Sequence, residues 1–403
     1  MLNTDRIRTT HVGSLPRTPE LLAANEAHQE GRLPWDELVA TMQQGVKDIV
    51  ATQRELGLDY VNDGEYGHTM SSSVDYGAWW NYSFSRLGGL SPSDEDRWDP
   101  KAGAKRSSPG NAVLTSFADR RDRQRFREAY EDSSSGILTA RRAVTQPKIT
   151  GPLSYTGQDA VQADIAHLQA ALEGSGATQG FLAALSPGSC ARVSNEHYAT
   201  DEELVYACAD AMREEYKAIV DAGLIVQIDD PSIAESWDQI NPEPSLEDYR
   251  SFIQLRIEAL NHALRGLPQE QIRFHLCWGS WHGPHTTDLE LKHLIEPMLQ
   301  IDAGGYTFEA ASARHAHEWR EWAGSALPED KVIIPGVVSH STNVVEHPEL
   351  VADRIQRFAS VVGPERVIAS TDCGLGGRLH PSIALAKLES LSEGARIASG
   401  RLF

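Results

Sequence analysis

Cysteine is scarce in this chain, with only Cys190, Cys208, Cys277 and Cys373 among 403 residues. Four thiols so far apart are too few for a disulfide framework at this size, and in a reducing compartment they are expected to pack, bind metal or react. Cys208 shares a helical stripe with Val205, Ala209 and Met212 and reads as core, while Cys190, set among Ser, Pro and Gly, is assigned no role. Long apolar stretches are missing too. No run of about eighteen apolar residues occurs, so no membrane-spanning helix is expected. Met1-Leu2-Asn3-Thr4-Asp5-Arg6 shows no charged leader followed by an apolar stretch, which makes the cytoplasm the expected location. Basic residues are in deficit: 37 Lys and Arg against 57 Asp and Glu give a formal net charge of -20. Such a surface repels phosphate backbones and anionic membranes, and argues against nucleic acid or lipid as a partner. Apolar residues at 40% and charged residues at 23% are ordinary globular usage, enough for one large α/β domain or two medium ones.

Taken in order, the β-branched run Ile7 to Val12 delivers a strand into the loop His11-Val12-Gly13-Ser14-Leu15-Pro16-Arg17. A helical pattern from Trp35 to Leu56 stops at Gly57, and a second short strand closes on Asp63-Gly64-Glu65. From Tyr66 to Gln146 the alternation of strand and helix is lost. That stretch carries Trp79, Trp80, Tyr82, Phe84 and Trp98, then a basic run with Arg120, Arg121, Arg123, Arg125 and Arg127. It reads as an insertion with some helix of its own. Its arginines read as a solvated helix face rather than an anion site, and its aromatics as a mini-core or a substrate lid.

Strand signals return at Pro147 to Pro152, Leu224 to Pro231, Ile272 to Cys277, Gly305 to Glu309, Val332 to Val338 and Val367 to Gly374. Helical patterns separate most of them. One begins at the capping-box sequence Thr200-Asp201-Glu202-Glu203, and others span Leu246 to Leu264, Leu289 to Leu299, Pro348 to Val362 and Ile383 to Ile397. His315-Ala316-His317 falls in such a pattern and reads as surface. About eight short strands, each followed by a helix or insertion, is the pattern of a (β/α)8 TIM barrel spanning 1–403 with 66–146 inserted after the second strand. The strand ends carry Ser14, Glu65, Asp230, His275, Cys277, Glu309, His340 and Cys373, which in a barrel converge on one face.

His275 and Cys277 stand two residues apart on a strand, so their side chains emerge from one face. Alone, that pair fits a buried histidine beside a buried thiol just as well. In a barrel, however, they end the fifth strand, Glu309 ends the sixth and Cys373 the eighth, so four ligands meet at one rim. A His, two thiolates and a carboxylate suit Zn2+ by softness and number, whereas structural zinc sites usually group their ligands in close pairs. An H-x-H on the first strand, the mark of a different kind of zinc barrel, is absent. Two thiolates and a carboxylate outweigh the ion's double charge, which suits holding an electron-rich substrate thiolate better than activating water.

These residues resemble, in order, the motifs of the cobalamin-independent methionine synthase family, specifically its catalytic C-terminal barrel. The zinc set is His275-x-Cys277, Glu309 within Phe308-Glu309-Ala310-Ala311-Ser312, and Cys373 within Thr371-Asp372-Cys373-Gly374-Leu375. The segment containing Ser14 is similar to the family's I-G-S-F-P, and Gly64-Glu65 to its glycine-glutamate pair. Ser14 and Glu65 are thereby implied to bind the amino-acid part of homocysteine. Gln227-Ile228-Asp229-Asp230-Pro231 is similar to Q-I-D-E-P, implying that Asp229 holds the substrate amino group, with Asp230 beside it in the substrate-binding set. Ser339-His340-Ser341-x-Asn343 resembles the segment with the proton-donating histidine, implying that role for His340.

The resemblance implies a Zn2+ cofactor, a small-molecule thiol and alkyl donor as partners, and methyl transfer from a methyltetrahydrofolate-type donor to homocysteine. A homo-oligomer is compatible with it. Two departures stand out: the chain carries one barrel, not two, and the family's G-P-x-T-x-x-x-W-S segment appears as Gly151 to Gly157 without its tryptophan, leaving Tyr155 or an aromatic of the insertion to substitute. Epoxyalkane:coenzyme M transferase, with the same zinc-thiolate chemistry, is the nearest alternative. A metal-free barrel lyase or binding protein of the uroporphyrinogen-decarboxylase type is the alternative from another class.

Overall fold

The structure, a computed structural model, describes residues 2–68, 70, 82, 84–92, 106–115, 117–137 and 147–403; Trp79, Trp80 and Trp98 fall outside that set. Its strands in chain order are β1 (Arg8–Thr9), β2 (Tyr60–Asn62), β3 (Leu87–Pro92), β4 (Pro147–Tyr155), β5 (Gln179–Leu185), β6 (Ser194–Asn195), β7 (Ile225–Asp230), β8 (Ile272–Leu276), β9 (Gly305–Phe308), β10 (Val332–Val338) and β11 (Ile368–Thr371). Eight of them form one sheet in the order β1-β11-β10-β9-β8-β7-β5-β2. Every pairing in it is parallel. The two ends of that order, β1 and β2, meet through Asp59, whose N–H donates to Thr9 O at 3.0 Å and whose Oδ2 accepts from Thr9 N at 3.0 Å. Helices wrap the outside, which completes the expected (β/α)8 barrel. Among the described residues no helix is long and apolar enough to cross a membrane.

Local sequence explains the elements. β10 reads Val-Ile-Ile-Pro-Gly-Val-Val and is buried along its whole length, as a strand covered on both faces must be. The helix Asp201–Asp221 starts where Thr200 Oγ accepts from Glu203 N at 3.1 Å and the Glu203 carboxylate reaches back to Ala199 N at 2.9 Å. Its apolar face, including Leu204, Val205, Met212 and Ile219, packs against β4 and the helix Leu246–Leu264. Each such burial is worth about 1.5–3 kcal/mol. Cys208, fully buried there, is core as expected.

Inside the barrel, side chains alternate in layers. Tyr60, Phe181, Ile225, Val332, Ile334 and Ile368 form an apolar plug. Two residues further along, Gln227 and Arg273 form a polar floor: the buried guanidinium donates to Gln227 Oε1 at 2.6 Å, Thr10 Oγ1 at 2.9 Å and His11 O at 2.5 Å. Two residues further again, Asp229, His275 and Thr307 stand in register at the mouth.

Three expectations change. The stretch from Pro147 is not a barrel strand; β4 pairs antiparallel with β3 and parallel with β6 in a separate small sheet. The third barrel strand is β5, Gln-Gly-Phe-Leu-Ala-Ala-Leu, whose leucines and alanines favour helix and carry no β-branched signal. Leu289 to Leu299 is no continuous helix but two short turns, Leu291–His293 and Ile295–Met298, because a helix through Pro297 would clash with the carbonyl four residues back. The arginine run is not one solvated face either. Arg120 is buried, paired with Glu235 and 4.2 Å from the centre of the Trp281 ring, and Arg121 pairs with Glu243 and donates to Trp237 O at 2.6 Å. Fully buried Asp122 explains why: it accepts from Tyr130, from Thr286 N at 2.9 Å and from the Thr286 hydroxyl, fastening the short helix Arg121–Arg125 to the loop beyond β8.

Candidate metal centre

His275 in β8, Cys277 just beyond it and Cys373 just beyond β11 are all buried, and one ligand atom from each lies within 4.8 Å of the other two. Neither ring nitrogen of His275 has a hydrogen-bond partner. Buried imidazole nitrogens are normally satisfied, and an unpartnered ring with one nitrogen beside two sulfurs suits a tetrahedral, sulfur-preferring ion such as Zn2+, which would engage that nitrogen. The Cys277 thiol, beside Cys373 and buried, is held well above its usual range. The Cys373 thiol is held well below its own, by the neighbouring Cys277 and by the Arg378 charge, against its burial. By donor type, burial and spacing, these three residues fit a zinc ion.

Glu309 belongs to an adjoining group. Its carboxylate lies with His340 and Asp372 in a second set whose ligand atoms are within 4.8 Å of one another. The structure therefore unites three of the four expected ligands and puts the fourth next door, where Glu309 Oε1 accepts from Trp278 N at 3.4 Å. Burial, reinforced by the Asp372 charge, raises the Glu309 carboxyl to about 8. Asp372 rises only to about 6, because the Ala311 and Ala310 N–H groups offset its burial. His340 is pushed down to about 3 by burial and is a neutral imidazole with an unpartnered Nδ1.

The residues expected to hold an amino acid surround the same mouth. Ser14 Oγ accepts from Arg17 Nη1 at 2.7 Å, while Ser14 O accepts from Leu375 N and Gly376 N, both at 2.9 Å, locking this loop to the one that carries Cys373. Glu65 has φ 58, and Gly13 has φ 140; a Cβ on Gly13 would collide with Glu65 Oε1, so glycine there lets the carboxylate lie against the loop. Asp229 Oδ1 accepts from Gln227 Nε2 at 2.7 Å. Burial, then the charges of Glu65 and Cys373, hold the Asp229 carboxyl well above its usual range. Asp230 faces away, as strand alternation dictates. It caps the turn Pro231–Ala234, accepting from Ser232 N at 2.8 Å and Ser232 Oγ at 2.5 Å.

Beside Glu309 and His340 opens a cleft of about 610 Å³, also lined by His282, His285, Asp288 and His315. His315, expected at the surface, is buried between carboxylates: Nδ1 donates to Glu318 at 2.7 Å and Nε2 to Asp288 at 3.2 Å. His285 donates to Asp288 at 3.1 Å and to Trp281 O at 3.0 Å. Burial opposes both charges, yet the carboxylates prevail, raising His315 to about 10 and His285 to about 9. His285, Asp288, Asp372, Arg17 and Arg378 were not singled out from sequence. The signal available was the density of Trp, His and Gly just after Cys277, and adjacency to the quoted motifs. Tyr155, named as a substitute for the missing tryptophan, is buried with its hydroxyl on Glu215 Oε2 at 2.5 Å and offers no free ring face.

Comparison with known proteins agrees with this architecture. Residues 7–78 and 132–396 match the family model described as cobalamin-independent synthase, catalytic domain. A methionine synthase of Saccharolobus islandicus is 28% identical over 211 residues, 52% of this chain and 54% of that protein. A 5-methyltetrahydropteroyltriglutamate-homocysteine methyltransferase of a Thermotoga species is 23% identical over 399 residues, 96% of this chain but 45% of that protein. The matched stretch is thus about half the length of these curated relatives. The structure of a B12-independent methionine synthase from Shewanella, in complex with selenomethionine, superposes with a TM-score of 0.69 at 20% identity, covering 98% of this chain and 99% of that one. With most of its length under one family model and the same barrel in a solved relative, the chain belongs to the cobalamin-independent synthase family, in its catalytic domain.

Proposed function

We propose that this chain is a zinc-dependent thiol alkyltransferase that moves a methyl group from a methyltetrahydrofolate-type donor to homocysteine, giving methionine. The observation that carries the reading is the meeting of His275, Cys277 and Cys373, one donor atom from each within 4.8 Å of the others, at an imidazole without hydrogen-bond partners. His275, Cys277 and Cys373, with Glu309 as exchangeable fourth ligand, would hold a zinc ion whose charge would keep a guest thiol deprotonated, whereas a free thiol with pKa of about 8.5 is mostly protonated at neutral pH.

The chain's own groups do the rest. Asp229 and Glu65 receive the substrate ammonium, and the Ser14 loop receives its carboxylate; Asp230 supports Asp229 from behind by capping the following turn. The departing nitrogen of a folate donor needs a proton, and His340, which lines the cleft, would pass one from solvent to it. Residues 1–403 act in this reading as one barrel unit with 66–146 as an insertion, working in the cytoplasm on small molecules. A second reading keeps the thiol chemistry with a different electrophile, such as an epoxide opened by coenzyme M. It is favoured by the engagement of Tyr155 with Glu215, which removes one candidate pterin platform.

The test is to incubate the zinc-loaded chain with homocysteine or coenzyme M and a panel of alkyl donors, and to detect thioether by mass spectrometry. Methionine from methyltetrahydrofolate is the expected product. Thioether from non-folate electrophiles alone moves the assignment to the second reading. A chain that neither retains nor takes up zinc refutes both and leaves a metal-free barrel.

A further inference from the structure

Glu309 and Cys373 follow strands that are not neighbours, because β10 lies between β9 and β11. A carboxylate and a sulfur that are to serve one ion must therefore be held in register across an intervening strand, where no ladder hydrogen bond can do it. One side chain makes that crossing. Asp372 Oδ1 accepts from Ala310 N at 2.7 Å and from Ala311 N at 2.8 Å, the two residues directly after Glu309. Its own N–H donates to Val338 O at 3.0 Å, and the residue after it is Cys373.

The crossing runs over Gly336 of β10. A Cβ on Gly336 would collide with Asp372 Oδ1 and stand 2.6 Å from its Cα, closer than real side chains approach. Gly336 is not among the positive-φ glycines, so space and not backbone conformation is what this position supplies. The β10–β11 ladder also breaks register between Gly336 and Val338, opening the sheet at the same point. Two independent features, a glycine and a bulge, thus clear a path for one fully buried carboxylate.

We propose that Asp372, passing over Gly336, is a positioning residue whose carboxylate acts as a strut between the Glu309 turn and the Cys373 loop, holding the rim at the spacing of one ion. Its consequence for zinc rests on the metal reading above; the strut itself does not. An acceptor oxygen at the right reach is all the strut needs, so an amide can replace the carboxylate.

The experiment measures zinc affinity of the full chain by chelator competition, together with hydrogen exchange at the Ala310 and Ala311 amides. Asp372→Ala and Gly336→Ala are expected to weaken zinc binding by about 10–100-fold, the range for losing a hydrogen-bonded support behind a metal site, and to deprotect both amides. Asp372→Asn, which presents the same acceptor oxygen, is expected to stay near wild type in both readouts. The double variant should lose no more than either single one, since both remove the same strut. Protected amides and wild-type zinc affinity in Gly336→Ala overturn the proposal, as does an Asp372→Asn variant as weak as Asp372→Ala. Should Asp372→Ala fail to fold, Gly336→Ala and Asp372→Asn carry the test. A wild-type chain that takes up no zinc refutes the metal reading instead, and the amide exchange then decides the strut alone.

Discussion

Replacing Cys373 by Ser should remove most of a stabilisation that exists only when zinc is present. An ion that binds the folded chain alone stabilises it by RT ln(1 + [Zn]/Kd), so free zinc buffered at about 100 times the wild-type Kd adds about 2.7 kcal/mol. An unfolding entropy of about 2.1 cal/mol/K per residue over 403 residues is about 0.85 kcal/mol/K, which converts that gain into a melting temperature about 3 °C higher. In Cys373→Ser a hydroxyl replaces one of the three donors that meet within 4.8 Å. If affinity falls by about 100-fold, the upper end for removing even an outer partner, the gain at the same free zinc shrinks to RT ln 2. That is about 0.4 kcal/mol, or about 0.5 °C. Scanning calorimetry in chelator-buffered zinc reads both shifts, with the metal-free forms as references. An equal zinc-dependent shift in the variant, or none in the wild type, refutes Cys373 as a ligand.

His340→Gln should retain zinc, as read by metal analysis, while turnover drops by about 100-fold or more, the usual worth of a positioned proton donor; unchanged turnover removes His340 from the mechanism. The metal-free protein should lose stability as pH rises. Glu309 binds its proton up to about 8 when folded but only in the ordinary carboxylate range when unfolded, so through that window the folded state holds more protons and stability falls with increasing pH. His285 and His315, raised to about 9 and about 10, add to that fall with the same sign. Urea midpoints at about pH 6 and about pH 8.5 should therefore decrease in that order without zinc and decrease less with it; an equal fall in both contradicts the Glu309 assignment. Arg120→Ala should cost about 3 kcal/mol, the low end for breaking a buried pair, since Arg192 still holds Glu235 at 2.8 Å. A loss within about 0.5 kcal/mol, the range of an ordinary surface substitution, would mean that the insertion is not anchored through this pair.

The barrel was legible because β-branched runs and capped helices alternate with little ambiguity after Thr200, and the helices Leu246–Leu264 and Pro348–Val362 have the expected bounds. It was obscured before that point. β5 is Ala-rich, whereas β4 has a stronger strand pattern and sits in the side sheet, so local propensity favoured the wrong segment until tertiary pairing decided. His275, Cys277 and Cys373 could be named as candidate ligands from spacing because strand alternation and barrel convergence are geometric rules. Glu309 shows where they stop: they bring a residue to the rim but do not say which neighbours its side chain faces. Polar partners that work through burial, such as Asp288 between two histidines or Asp122 under the arginine run, leave no periodic trace, and their solvated-looking sequence context hid them.

The cylinder has a seam. Seven of its eight junctions are ladders, whereas β1 and β2 are joined by Asp59 and Thr9 and then by side chains reaching across, Thr10 Oγ1 to Tyr60 O at 3.3 Å and Asn62 Nδ2 to Gly13 O at 3.1 Å. Directly above that joint sit the loops bearing Ser14 and Glu65, one from each side. Those loops are already clasped, Leu15 N donating to Gly64 O at 3.1 Å and the Arg17 guanidinium to Glu65 O, so where the hoop lacks a ladder one arginine stands in for a strand edge, and closure of the ring is fastened at its mouth.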